Sequence, residues 1–260
     1  MDNKDLIIKN IKENPFYIKN VKNPDEEVSL LAVKLNGGAI QYIKNPNHEM
    51  KREAVKSNAM AIEYIENPEE DVCILAVTLS WNALKYIKNP SEDTMKKAID
   101  IKGWAIQYIN EPSEELQLMA VKKDYDSIKY IKNPTKDVQI AAVKQYWGGL
   151  KFIENPCIEA QIEGVKQNEE AITYVNLSGE KNLKAFIKAN IKVIKYIYDD
   201  IEPQWINEVL IEVLSKESTD KKYIIDFLNL DTISMNKMKL IDEYGCKTVK
   251  KIVVDYILGL

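Results

Sequence analysis

Along most of the chain, apolar and polar positions return with a strict period of 22 residues. Prolines stand at 24, 46, 68, 90, 112, 134 and 156, each a constant step after the last. An aromatic ladder keeps the same period through Tyr42, Tyr64, Tyr86, Tyr108, Tyr130, Phe152, Tyr174 and Tyr196. A small-residue column runs through Ala32, Ala54, Ala76, Ala98, Ala120 and Ala142 to Gly164, followed each time by Val or Ile. Upstream, Asn10 to Asn14 falls on the columns of Ala32 to Asn36, which places an imperfect first repeat at the N-terminus.

Within one period the pattern predicts two short helices. In the unit around Pro68, Asn67 reads as the cap and Pro68 as the first helical residue, where its missing N–H costs nothing. Glu69, Glu70 and Asp71 then complement the positive end of the helix dipole, as Glu92, Asp93, Glu114 and Glu115 do in later units, and Glu70 suits a capping box. Val72, Leu75, Ala76 and Leu79 follow at helical spacing. A turn at Ser80 to Asn82 leads into a second helix carrying Ala83, Leu84, Tyr86 and Ile87, which the next Asn-Pro step ends. Lengths of about 12 and 7 residues are too short to persist alone in water, so stacking of neighbouring units must stabilise them. The small Ala column permits close approach, and Ile43, Ile65, Ile87, Ile109, Ile131 and Ile153 are expected to fill the space between layers.

The predicted fold is therefore an all-α solenoid of about eight two-helix repeats. Its expected organisation is a repeat solenoid over 1–200 and a C-terminal helical cap over 201–260, because the register fails after Tyr196 and Pro203 arrives out of step. The cap region predicts helices near 204–216, 219–229, 233–243 and 246–258.

The strings AVKLNGGAIQYIKNP, AVKSNAMAIEYIENP and AVKQYWGGLKFIENP resemble the AVKQNGxALxY repeats of a family of unknown function found in bacterial and giant-virus proteins. The resemblance covers roughly residues 10 to 198 and implies a helical repeat array with no established activity. The chain is also distantly similar to leucine-rich repeat variants and HEAT-like solenoids.

Composition narrows the function classes. With 260 residues, 45% hydrophobic and 29% charged, the chain can bury a sizeable core and lacks the signature of disorder. A net charge of −4 argues against a protein devoted to nucleic acid or anionic lipid. The N-terminus lacks the apolar core of a secretory signal, and no apolar run spans a bilayer, so a cytoplasmic protein without membrane contact is expected. Cys73, Cys157 and Cys246 are widely spaced and odd in number, which fits reduced thiols; with His48 the only histidine, no metal site is expected. The single arginine, Arg52, beside abundant Lys, Ile, Asn and Tyr, points to the AT-rich genome of a low-GC bacterium or phage.

No catalytic or nucleotide-binding motif occurs, so no enzyme activity, catalytic residue or cofactor is expected. The repeated acidic residues read as helix starts, and the aromatic ladder as core or inter-repeat packing. Partner contacts should lie where the repeats differ. The turn between the helices carries Gly37-Gly38, then Ala59-Met60, then Trp81, Trp104, Tyr125 and Trp147, then Glu169-Glu170. Read as one column, those four aromatics make a row, widened by Leu79, Ile101 and Tyr146. Such a row either meets another protein or peptide, or folds each ring over its own turn. Beside it, Lys85, Lys88, Lys129, Lys132 and Lys151 form a weak basic stripe that, interleaved with aromatics, would suit nucleic acid or a nucleotide. The expected function is a non-enzymatic interaction scaffold or inhibitor acting through the central repeats, with nucleic-acid binding as the alternative.

Overall fold

A computed structural model describes residues 3–259 and contains helices and turns with no strand among them. The α-helices of the repeats are α1 (Asn3–Glu13), α2 (Glu26–Leu35), α3 (His48–Ser57), α4 (Glu70–Leu79), α5 (Glu92–Ile101), α6 (Glu114–Lys123), α7 (Lys136–Gln145), α8 (Ile158–Gln167) and α9 (Glu180–Ala189). α2 to α9 are each 10 residues long, and from α3 on each begins 22 residues after its predecessor. The repeat step therefore continues through α9, past the last Asn-Pro, and the described chain holds nine such units.

The second helix of the unit departs from expectation. It is a six-residue 3₁₀ helix, as at Gly37–Tyr42, Trp81–Tyr86 and Trp147–Phe152. Six residues close too few α-type hydrogen bonds to persist, whereas a 3₁₀ segment rises about 2.0 Å per residue and completes two turns in the same span. The polypeptide bends into it at an extended residue whose amide bonds back to the α-helix, as Asn36 does to Ala32 at 2.9 Å. Asn14, Asn36, Asn58, Asn168 and Asn190 cap this second segment by accepting a backbone N–H two residues on.

Capping of the first helix also differs. The cap follows the proline: Asp25, Asn47, Ser91, Ser113 and Thr135 each accept the N–H three residues ahead. Asn67 instead takes a left-handed conformation at φ 47°, as do Asn23 and Asn45, and Pro68 lies before the cap residue Glu69. Asparagine tolerates that conformation, which turns the chain from one repeat into the next. Glu70 is thus the first helical residue, so no capping box forms, but it and Asp71 still sit in the positive first turn.

By contact density the chain divides into two compact units, Met1–Asn133 and Pro134–Leu260, a division that falls between two repeats. In the first, successive α-helices stack in one row and successive 3₁₀ helices in a second. The core between the rows is built from Ala32, Ala54, Ala76, Ala98 and Ala120, each fully buried, with Ile40, Ile62, Leu84, Ile106 and Ile128 from the 3₁₀ row. Ile65, Ile87 and Ile131 are buried as expected, whereas Ile43 and Ile109 are only half-buried.

In the second unit α7, α8 and α9 stack in the same way. The register breaks at Ile191–Val193, where the 3₁₀ segment passes directly into a short helix α10 (Ile194–Ile197). The C-terminal segment forms α11 (Pro203–Leu214), α12 (Lys221–Leu228), α13 (Lys237–Tyr244) and α14 (Lys247–Leu258). α11 stacks on α9 and α12 on the 3₁₀ turn after α9, while α13 follows α11 and α14 follows α12. The tail thereby extends both rows of the stack, shielding the last repeat while leaving Ile257 and Leu258 exposed. No helix among the described residues is long and apolar enough to cross a membrane.

Candidate partner-binding surface

Two outward positions and one rim position of each 3₁₀ helix set the character of its surface. With three residues per turn, Leu84 and Ile87 line up toward the core, and Asn82 and Lys85 line up away from it. Tyr86 lies between these directions. The ladder is consequently not core: Tyr42, Tyr64 and Tyr130 in the first unit and Tyr174 and Tyr196 in the second are exposed. Tyr86, Tyr108 and Phe152 are half-buried. Tyr42, Tyr108, Tyr130 and Tyr174 each meet an aromatic ring of the preceding repeat, so at these positions the inter-repeat packing holds while the core placement does not.

The turn aromatics supply that packing. Trp81 stacks on Tyr108 of the next repeat, with ring centroids 6.0 Å apart and planes 22° from parallel. Phe16 meets Tyr42 edge-on at 6.2 Å, and Trp104 meets Tyr130 at 6.1 Å. In the second unit Trp147 lies 6.2 Å from Tyr174 and 5.5 Å from Tyr146. Trp81, Trp104, Tyr125 and Trp147 are all half-buried, Ile101 likewise, whereas Leu79 and Tyr146 are exposed.

The four aromatics do not form one column. Trp81, Tyr125 and Trp147 begin their 3₁₀ helices, but Gly103 holds that place in the fifth repeat and Trp104 follows it at the outward position. A Cβ at Gly103 would lie 2.4 Å from the Ala120 carbonyl oxygen, so the neighbouring helix end approaches too closely for a side chain there. Trp81, Trp104 and Tyr125 belong to the first compact unit, and Trp147 with Tyr146 to the second.

Displaced by one position, Trp104 enters a polar clasp. Its indole N–H donates to Asp126 Oδ1 at 2.7 Å, Lys129 Nζ donates to Asp126 Oδ2 at 3.0 Å, and the same ammonium lies 4.1 Å above the indole ring. Lys102 approaches the ring at 4.7 Å and pairs with Asp124, which also accepts the Gly103 N–H at 2.7 Å. Partial burial works against the charge on Asp126, but the hydrogen bonds from Trp104 and Lys129 hold its carboxyl below the usual range.

Lys85, Lys88, Lys129, Lys132 and Lys151 all reach solvent. Three of them cover rings of the aromatic surface: Lys85 over Tyr86 at 5.5 Å, Lys129 over Tyr130 at 5.0 Å and Lys151 over Phe152 at 4.6 Å. His48 lies 3.2 Å from Asp71 through Nε2, at the start of α3. No cluster of three or more His, Cys, Asp or Glu side chains suited to a metal occurs among the described residues.

One set of residues escaped the sequence reading. Gln117, Gln139 and Gln161 occupy one helix column, and each donates Nε2 to the carbonyl of the proline five residues earlier, at 2.9, 3.0 and 2.6 Å. Gln139 and Gln161 also accept backbone N–H groups of the following loop, from Cys157 at 2.7 Å and Asn176 at 3.0 Å. Cys73 replaces glutamine in this column, and a cleft of about 500 Å³ opens beside it among Ile65, Pro68 and Ile87. Three glutamines at a 22-residue spacing were the available signal.

No family model, curated protein or solved structure matches this chain.

Proposed function

We propose that the chain is a non-enzymatic, cytoplasmic interaction module that holds another protein or peptide on the aromatic 3₁₀ face of its central repeats. The observation that carries this reading is the exposure of Tyr42, Tyr64 and Tyr130 on a face where Trp81 already stacks on Tyr108. Rings fixed against one another lose little entropy on binding, and tyrosine and tryptophan dominate interface hot spots. The polar residues between them, Glu63, Lys85 and Gln107, would supply the hydrogen bonds of an interface rim. Trp81 and the ladder tyrosines are the anchors of this reading in the first unit; Trp147 and Tyr146 are the corresponding rings of the second. Trp104 serves the repeat contact instead.

Affinity capture from a low-GC bacterial host with the wild type and a Tyr64→Ala, Trp81→Ala, Tyr108→Ala variant tests the assignment. Specific partners should be lost from the variant while its circular dichroism stays helical. Retention of every partner by a folded variant refutes it. The lysines lying over Tyr86 and Trp104 give a second reading, binding of nucleic acid or a nucleotide. Salt separates the two, since phosphate-driven binding weakens steeply between low and moderate salt. The family likeness carried by the Ala-Val-Lys strings belongs to the same proposal and adds no activity to it.

A further inference from the structure

Where the regular repeats end, the second unit contains a cleft of about 570 Å³ between α8, α9 and the segment joining α11 to α12. That volume suits a drug-sized ligand. The floor is apolar and fixed: Ile162, Ala189 and Val213 line it together with the ring of Tyr223. Tyr223 is buried and donates its hydroxyl to the Ile187 carbonyl at 3.0 Å, and Asn190 beside it donates to the Val165 carbonyl at 3.0 Å. These polar groups are satisfied within the protein, so the floor asks for apolar contact.

The rim has the opposite character. Lys166, Lys188, Lys216 and Lys222 surround the opening, against only Asp220 and Asp226 among its lining residues. Four ammonium groups and two carboxylates leave a formal charge of +2 at this cleft, in a chain whose net charge is −4. Lys188 and Lys216 share the carboxylate of Glu212 just outside. Lys166 and Lys222 are held by no carboxylate among the described residues, and Asp220 is engaged in capping α12 through the Lys222 amide at 2.8 Å. Burying apolar surface next to unpaired ammonium groups favours a ligand with both characters.

We infer that this cleft binds a small amphipathic organic anion, its apolar body on Ile162, Ala189, Val213 and Tyr223 and its anionic group between Lys166 and Lys222. The inference is independent of the aromatic face. The cleft lies at the register break: α11 and α12 are longer than the repeat elements they succeed, and the loop at Ser218 to Asp220 lines the cleft together with α9.

Two fluorescent probes with one ring system test it on the full chain: anilinonaphthalene sulfonate, an anion, and phenylnaphthylamine, which lacks the sulfonate. The sulfonate should bind saturably at one site, and Lys166→Ala with Lys222→Ala should weaken it about tenfold while leaving the neutral probe unchanged. Ala189→Trp should block both probes by filling the floor. Absence of saturable sulfonate binding, or equal sulfonate affinity in the double lysine variant, overturns the proposal. Unchanged binding in a folded Ala189→Trp variant also overturns it, by placing the probe elsewhere. Both lysines are exposed, so the charge arm of the test stands even if the tryptophan variant fails to fold.

Discussion

Trp104 and Asp126 stand on successive repeats, and the indole N–H of the first donates to the carboxylate of the second at 2.7 Å. They occupy the same position of the unit, 22 residues apart, so the bond fastens one repeat to the next. A tryptophan that stands out by composition thus serves as a clasp with its donor already used.

That bond makes a measurable pair. Trp104→Phe should destabilise the chain by about 1 to 2 kcal/mol, the range for a hydrogen bond to a charged partner at a partly solvated site. Asp126→Asn should cost a similar amount because it also removes the ion pair between Asp126 and Lys129. Chemical denaturation of both single variants and the double variant should show a coupling of about 1 kcal/mol. Strict additivity would mean that the contact carries no energy.

Cys73 sits in the column where Gln139 and Gln161 bridge adjoining loops, and its thiol lies 3.8 Å from the Pro68 carbonyl. Cys73→Gln should place an amide on that carbonyl and accept the Ser91 N–H, closing the neighbouring cleft. A gain of about 1 kcal/mol is expected from the added hydrogen bonds, read as a higher melting temperature. A lower one would show that the space is too small for the amide.

Glu111 holds φ 48° where other repeats place asparagine before proline. The left-handed conformation costs an ordinary L-residue about 1 to 2 kcal/mol, and asparagine pays less of it. Glu111→Asn should therefore stabilise the chain by about 0.5 to 1 kcal/mol, checked by denaturant midpoint at constant slope.

Glu212 accepts from Lys188 and Lys216, and these bonds hold its carboxyl down to about 2. A carboxylate depressed in the folded state contributes stability that is complete above its ordinary range near 4.5 and is lost as pH falls toward 2. Thermal melts of wild type and Glu212→Gln should differ at neutral pH and converge near pH 2. The difference should shrink with added salt, since the side chain is about half exposed. A gap that persists in acid would assign the effect to packing.

Much of the architecture was legible in the chain. A period that never slips, a small residue that must sit between helices, and proline where a helix cannot continue determine the number and order of α2 to α8, and their boundaries to within about two residues. The C-terminal helices were placed within a few residues because their apolar spacing is local information. The displacement of Trp104 was readable too, since counting one period from Trp81 lands on Gly103.

Other features belong to the tertiary structure alone. Whether six residues close as an α or a 3₁₀ helix depends on the bend after the α-helix and on the stacked neighbours. The cap fell on the residue after proline because Asn67 turned left-handed to connect the layers. The ladder tyrosines are periodic, and a period cannot tell core from rim; Leu84 and Ile87 took the inward places and left Tyr86 at the edge. The lysine-rimmed cleft draws on residues from Ile162 to Asp226 that share no motif and meet only through the stacking of α11 and α12 on α9 and its turn. Local spacing determines which elements form, whereas the identity of a surface depends on which distant side chains the packing brings to one place.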